Sequence, residues 1–414
     1  MRIKAQSSYS TPTKGPVKRR EFGTVFQKKD DLWEGKYVYQ GKRKSIYGST
    51  KEEIENELLL IQANIKNHHH VEDSSMLFKD WIEQWLDGYV KSSVRHSTYL
   101  NYNAYMHIHV IPILGGVSLK SLDGEKLQKF FNEKSKSGRC DKKAGGLSAK
   151  TLRNIRNILN VCLDQAIYNK LLFVSPLAGV KLPKYESKEM RVLTKTEMYR
   201  LIEIANAADS RFANGVVFTL YTGVRLGELL GLRWSDVEWD GEDNTYVNIR
   251  HTLARQTKPS KNDPNYKIIS WTPGNKTAIT LGRVKTAKSR RRILLPSVAY
   301  KCLVKIKAWN DEMSGQFRDV FNPDGFVFTS LKGDVMEPRT YMDYFYDLVK
   351  VSGIKHANFH ALRHTFATRG NEIGIDAATL ADLLGHAQIS TTMNMYVHSQ
   401  DEQKRKARNA FNNM

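Results

Sequence analysis

From Met76 to Pro176 apolar side chains return at helical spacing and no strand-like alternation interrupts them, so this middle part of the chain must form an α-helical unit. Phe78, Trp81, Ile82 and Trp85 open it. Ser97 is placed to cap a second helix, and Pro112 with the Gly115-Gly116 pair is expected to end it, because proline lacks the N–H that a helix needs. Asp123 caps the next helix. After the polar stretch 135–146, Ser148 starts a long one carrying Leu152, Ile155, Ile158, Leu159, Cys162 and Ala166. Residues 182–188 then mix charge, proline and serine without apolar periodicity, which marks a linker. In a chain of 414 residues, that joint and another near His68-His69-His70 give three parts: 1–70, 75–183 and 190–414.

The outer parts read differently. After a basic tail, segments 23–26, 32–40 and 44–47 read as three short strands of an antiparallel sheet. Thr50 and Glu53 form a capping box opening a helix whose Ile54, Leu58, Ile61 and Ile65 can cover that sheet. The last part opens with a second capping box, Thr194 and Glu197, runs through helices to about Gly231, and shows strands near 246–249 and 292–295 before helices resume after Pro296. The expected fold class is multidomain α+β: a small N-terminal sheet plus helix, an all-helical domain, and a mixed, mainly-α third domain. Residues from Asp401 onward form a basic amphipathic tail suited to packing on a neighbouring subunit.

Charge narrows the partner. The chain carries 64 Lys+Arg against 43 Asp+Glu, a net +21, and the first fifty positions hold twelve basic residues against four acidic ones. A polyanion is implied, with nucleic acid ahead of an anionic membrane. The sequence has neither a long apolar run nor a signal-peptide-like start, so the protein is expected to be cytoplasmic, without a membrane association. Cys140, Cys162 and Cys302 are too few and too scattered for a disulfide framework or a thiolate zinc site, and read as buried or inert thiols. The His68–His70 triplet lacks metal-ligand spacing and reads as linker, so no metal is expected.

Chemistry-bearing residues gather in the third domain. Arg225 stands at a glycine-marked helix start in Tyr221-Thr-Gly-Val-Arg-Leu-Gly-Glu228, where the three-residue interval lets Glu228 orient it. Lys285 precedes an apolar strand in a basic turn that also holds Lys288. His360 and Arg363 share one helical face in His360-Ala-Leu-Arg-His364. His386 ends Leu383-Leu-Gly-His, and Tyr396 follows in Thr391-Thr-Met-Asn-Met-Tyr396. Each alone has a plain explanation as an ion pair, a solvated lysine, a helix cap or a packing ring. Their order within one domain changes that weighing.

Together these motifs, with Ser148-Ala-Lys-Thr151 and Ile111-Pro-Ile-Leu-Gly115, resemble the tyrosine recombinase (phage integrase) family over nearly the whole chain, and most of all the integrases of conjugative transposons. The resemblance implies Tyr396 as nucleophile, Arg225 and Arg363 on the scissile phosphate, and Lys285, His360 and His386 completing the site. It implies cleavage through a 3′-phosphotyrosyl link without a cofactor, by four subunits on two DNA duplexes, with accessory excision or DNA-bending proteins as further partners. It further implies an arm-type DNA-binding domain at 1–70, where Trp33, Tyr37, Tyr39, Lys42, Arg43 and Lys44 are candidate contacts. Residues 75–183 become a SAM-like core-binding domain, with Lys150, Arg153 and Arg156 as candidate phosphate contacts. Packing of the three rings on the helix, and a merely solvated charge stripe, are the plain alternatives.

The chemistry itself asks for these groups. Phenolate attack on a phosphodiester builds charge on the non-bridging oxygens, and guanidinium forks supply fixed, always-charged donors for it. A tyrosine with an ordinary pKa of about 10 needs nearby cations or a base such as His360 to lose its proton. Lys285 can protonate the departing 5′ oxygen, and His386 can hydrogen-bond the phosphate. Competing readings are a chromosome-dimer resolvase, a type IB topoisomerase, and a non-catalytic architectural DNA-binding protein; the intact tyrosine and arginines weigh against the last. The stretch 258–283 departs from the family pattern and reads either as a mobile insertion or as a β-ribbon touching DNA or another subunit.

Overall fold

A computed structural model describes residues 23–29, 32–39, 42–66, 76–141, 143–184, 190–257, 259–261, 263–272, 274, 276–284, 286–317, 321–393, 408 and 412. The chain divides into two compact units, one from residues 1–94 and 99–185, the other from 95–98 and 186–414. Among the described residues no helix is long and apolar enough to cross a membrane.

In the first unit, β1 (Gly23–Lys29), β2 (Leu32–Tyr39) and β3 (Lys42–Gly48) form an antiparallel sheet in sequence order, covered by α1 (Lys51–Lys66). Thr50 Oγ1 accepts the Glu53 N–H at 3.2 Å, but the Glu53 carboxylate accepts from Ser49 N, one residue before the expected partner. Ile54 and Leu58 of α1 are buried against Tyr37, with Trp33 and Ile46 packed around them. Gly35 allows the approach, since a Cβ there would lie 2.6 Å from Ile54 Cγ2. Tyr37 is therefore a core ring, which corrects its reading as a DNA contact, since a ring wedged under a helix has no free face for a base, while Trp33 is half-buried against the same cluster. The pleat sends the alternate residues outward. Phe26, Lys28, Lys36, Arg43 and Tyr47 lie on that outer face; Lys36 sits 4.5 Å from the Phe26 ring and Lys28 5.3 Å from that of Tyr47.

The helical part runs α2 (Phe78–Trp85), α3 (Lys91–Ser93), α4 (His96–Tyr105), α5 (Ile111–Leu114), α6 (Gly124–Ser137) and α7 (Ala149–Tyr168). Phe78, Trp81, Ile82 and Trp85 are all buried, and Trp81 Nε1 donates to the Cys162 carbonyl at 3.2 Å. Asp123 and Ser148 cap α6 and α7 through their side chains, as expected. Two expectations fail. Ser97 lies inside the first turn of α4, and Pro112 does not itself stop the helix, because a π-helical turn over Met106–Val110 widens the bonding before it and lets α5 continue to Leu114, where Gly115 caps it as expected of the glycine pair.

The second unit begins with α8 (Lys195–Ala208), opened by the Thr194–Glu197 capping box. Next come α9 (Arg211–Thr222), α10 (Leu226–Leu230), β4 (Val237–Glu238), α11 (Gly241–Asn244) and β5 (Tyr246–Ile249). Strands β6 (His251–Thr257), β7 (Tyr266–Trp271) and β8 (Thr277–Arg283) make a sheet ordered β6-β8-β7, so the described part of 258–283 is built largely as strands. A separate sheet has the order β4-β5-β9, with β9 spanning Arg291–Leu294. The remaining helices are α12 (Ser297–Phe317), α13 (Pro338–Val351), α14 (Phe359–Glu372), α15 (Ala377–Leu384) and α16 (Ile389–Met393). Helix α9 is buried along most of its length and forms the centre around which α8, α12, α13 and α14 pack. Cys162 and Cys302 are buried, whereas Cys140 is exposed.

Candidate active site

The residue before α10 is Arg225, and Glu228 returns to it twice. Glu228 Oε2 accepts the Arg225 N–H at 3.0 Å and Oε1 accepts from Nη1 at 2.6 Å. The carboxylate is only 4 % exposed and meets a second cation that the sequence reading missed: Arg291 on β9 donates Nη2 to Oε2 at 2.8 Å. Burial alone would raise the Glu228 pKa, but Arg291 and Arg225 override it and hold the group at about 2. Arg291 also donates Nε to the Leu383 carbonyl at 2.6 Å and Nη1 to Ser289 O at 3.2 Å. It thereby ties the start of α10 to the end of α15.

Arg363 lies on α14 and is 1 % exposed. Nη1 donates to Gly223 O at 2.8 Å, and Nη2 donates to Leu384 O at 2.6 Å and to His386 Nε2 at 2.8 Å. Gly223 and Leu384 stand at the C-terminal ends of α9 and α15, where carbonyls lack helical partners and the dipole favours a cation. Both ends turn through a left-handed glycine, Gly223 at φ 65° and Gly385 at φ 65°. No acceptor for Arg363 Nε–H occurs among the described residues. Burial first, then the Arg225 charge, lowers this arginine to about 9.

His386 follows Gly385, and its backbone N–H closes the helix end on Ala381 O. Its Nε2 faces Arg363, and its Nδ1 lies 2.7 Å from Thr392 Oγ1. Burial and the charges of Arg363, Arg225 and Arg291 lower it to about 4, so the ring is neutral at pH 7. Both nitrogens are engaged, so donation to a phosphate oxygen requires Nε2 to part from Arg363 and to carry the ring proton in place of Nδ1. His360 stands on the same face of α14 as Arg363, exposed to solvent, with its ring 4.5 Å edge-on from that of His364. The protein mass around it, then Arg363 and Arg225, lower its pKa below the usual imidazole value.

A cavity of about 410 Å³ opens here, lined by Arg225, Glu228, Thr252, Val284, Thr286 and His386 among others. Two guanidinium groups, those of Arg225 and Arg291, share one carboxylate, and the third, Arg363, rests on carbonyls and an imidazole, leaving the site an excess of fixed positive donors suited to an oxyanion. Among the described residues no cluster could hold a metal ion. Lys285 and Tyr396 lie outside the described residues, though Val284, Thr286 and Thr391 all border the cavity. Elsewhere, Lys150 and Arg153 are exposed and Arg156 half-buried on α7; Arg43 is exposed and Lys44 half-buried on β3. The side chains of Tyr39 and Lys42 lie outside the described set.

Comparison with known proteins assigns the chain to a family. Residues 191–403 match the phage integrase family, and residues 77–135 match the N-terminal SAM-like domain of phage integrases. The chain is a tyrosine recombinase of the phage integrase family. The recombinase is 26% identical over 381 residues to the tyrosine recombinase XerC-like protein of Caldanaerobacter subterraneus subsp. tengcongensis, spanning 90% of this chain and 92% of that one. It is 24% identical over 360 residues to the integrase of Staphylococcus phage L54a, spanning 83% and 95%. In fold it is similar to the Tn1549 transposon integrase solved in complex with a circular intermediate DNA, with TM-score 0.60 at 22% identity over 80% of this chain and 99% of that one. A lambda integrase tetramer bound to a Holliday junction matches at TM-score 0.53 and 18% identity, over 92% and 96%. As a member of this family the recombinase cleaves and rejoins DNA at specific sites.

Proposed function

We propose that the recombinase excises and integrates a mobile element, with Tyr396 attacking the scissile phosphate held between Arg225 and Arg363. The observation that carries this is the arginine cluster: three guanidiniums with a single buried counter-charge, two of them resting on helix-end carbonyls, beside a cavity that Arg225 lines together with the neighbours of Lys285 and the helix that precedes Tyr396. Attack forms a bond from the phenolic oxygen to phosphorus and breaks the bond to the 5′ oxygen, so the ester is stored and no external energy source is needed. His360, kept neutral by its surroundings, accepts the phenol proton, and Lys285 supplies one to the leaving oxygen. Adduct formation then rises with pH through the lowered His360 range and flattens above it.

The domains take their roles from the same reading. Residues 75–183 and 190–414 grip the core site, and the N-terminal sheet reads an arm-type site through its outer face, where Phe26, Lys28, Lys36, Arg43 and Tyr47 mix charge with rings. Four copies on two duplexes, in the cytoplasm, exchange the strands with help from excision or bending proteins. Incubation with a nicked suicide duplex in EDTA tests the centre of this proposal. The wild-type chain traps a covalent adduct, and Tyr396→Phe abolishes it while still binding DNA; an adduct surviving in the Phe variant overturns the assignment.

A further inference from the structure

Most hydrogen bonds of the site join an arginine to a carboxylate, a carbonyl or an imidazole beside it, but one leads toward the segment that carries Tyr396. His386 Nδ1 reaches the hydroxyl of Thr392, which lies on α16 four positions before that tyrosine. Arg363 Nη2 can only donate, so Nε2 of His386 must accept, and the neutral ring carries its proton on Nδ1. That proton goes to Thr392 Oγ1. A continuous chain therefore runs from Arg363 on α14, through the loop after α15, to α16.

Two features give Thr392 more than a packing role. Helix α16 has five residues, too few to be stable by itself, so its placement depends on what its side chains hold. Thr392 is its one buried side chain and is 0% exposed, whereas Ile389, Ser390, Thr391 and Met393 are exposed, Thr391 to the cavity. A hydroxyl at such a position costs free energy unless it is bonded, and valine would fill the same shape without that cost.

We propose that Thr392 is a positioning residue whose hydroxyl clips α16 to His386, setting the tyrosine segment in register with the arginine that grips the phosphate. The clip rests on the reading of Tyr396 as nucleophile. Single-turnover adduct formation by the full chain on the nicked duplex, measured across DNA concentrations, tests it with Thr392→Val and Thr392→Ser. The Val variant slows the saturated rate by about 10- to 100-fold while DNA half-saturation stays unchanged, as expected for a small misplacement of the nucleophile. The Ser variant, which keeps the hydroxyl, returns to within a few-fold of wild type. A wild-type rate in the Val variant overturns the clip, as does a Ser variant as slow as Val, or a loss in Val confined to DNA affinity. Tyr396→Phe run alongside separates the two ideas: an adduct there sinks the nucleophile reading, whereas its absence with an unimpaired Val variant sinks the clip alone.

Discussion

Replacing Glu228 by Gln removes one negative charge from beneath two guanidiniums at almost constant volume. In the folded chain this carboxyl sits at about 2 against an ordinary 4.5, in a side chain only 4 % exposed. At pH 7 the ionised group therefore stabilises the catalytic unit by about 3 kcal/mol. Because the folded value is depressed, that stability is complete above the unfolded pKa and is lost as pH falls through the folded one. At pH 3 about 1 kcal/mol remains. Native-state hydrogen exchange of the buried α9 amides, in wild type and Glu228→Gln at both pH values, reads this difference within the unit concerned. The two proteins should differ by about 3 kcal/mol at pH 7 and converge toward about 1 at pH 3. A gap that is the same at both pH values, or below about 0.5 kcal/mol at pH 7, would refute the view of Glu228 as the shared counter-charge.

Other outcomes follow from neighbouring features. Arg291→Lys keeps a charge, but one ammonium cannot serve Leu383 O, Ser289 O and Glu228 together, so single-turnover adduct formation drops about tenfold, with little change in DNA affinity by fluorescence anisotropy. Gly385→Ala forces a β-carbon into a φ of 65° and to 3.0 Å from Arg291 Nη1, and costs about 1–2 kcal/mol by urea titration of the catalytic unit's transition. Arg43→Ala on the outer sheet face lowers the log–log salt slope for arm-containing DNA by about 1 and leaves binding of a short core duplex unchanged.

Sequence made the local features plain. The caps at Asp123, Ser148 and Thr194, and the pairing of Arg225 with Glu228, depend on residues three apart, and their side chains meet wherever the helix forms. Arg291 was hidden because its partners outside its own turn, Glu228 and Leu383, lie 63 and 92 positions away and it stands among three consecutive arginines of similar appearance. Thr392 was hidden for the opposite reason: the sequence groups it with Thr391, and only the helix rotation decides which one is buried. The N-terminal rings show a parity problem. Alternation sorts Trp33 and Tyr37 from Phe26 and Tyr47, but the side on which α1 lands decides which pair meets solvent. Pro112 misled because a widened turn upstream removes the conflict that normally ends a helix.

Arg363 is seated largely on oxygens that belong to the peptide chain itself, those of Gly223 and Leu384, and only one of its partners is a side chain. Such a seat is written in the path of the main chain, not in the identity of the amino acids around it. Randomising the cavity wall would therefore leave the Arg363 guanidinium in place, provided the two glycine turns survive, so the residues around the cavity can vary without dismantling the seat of the cation we propose grips the phosphate.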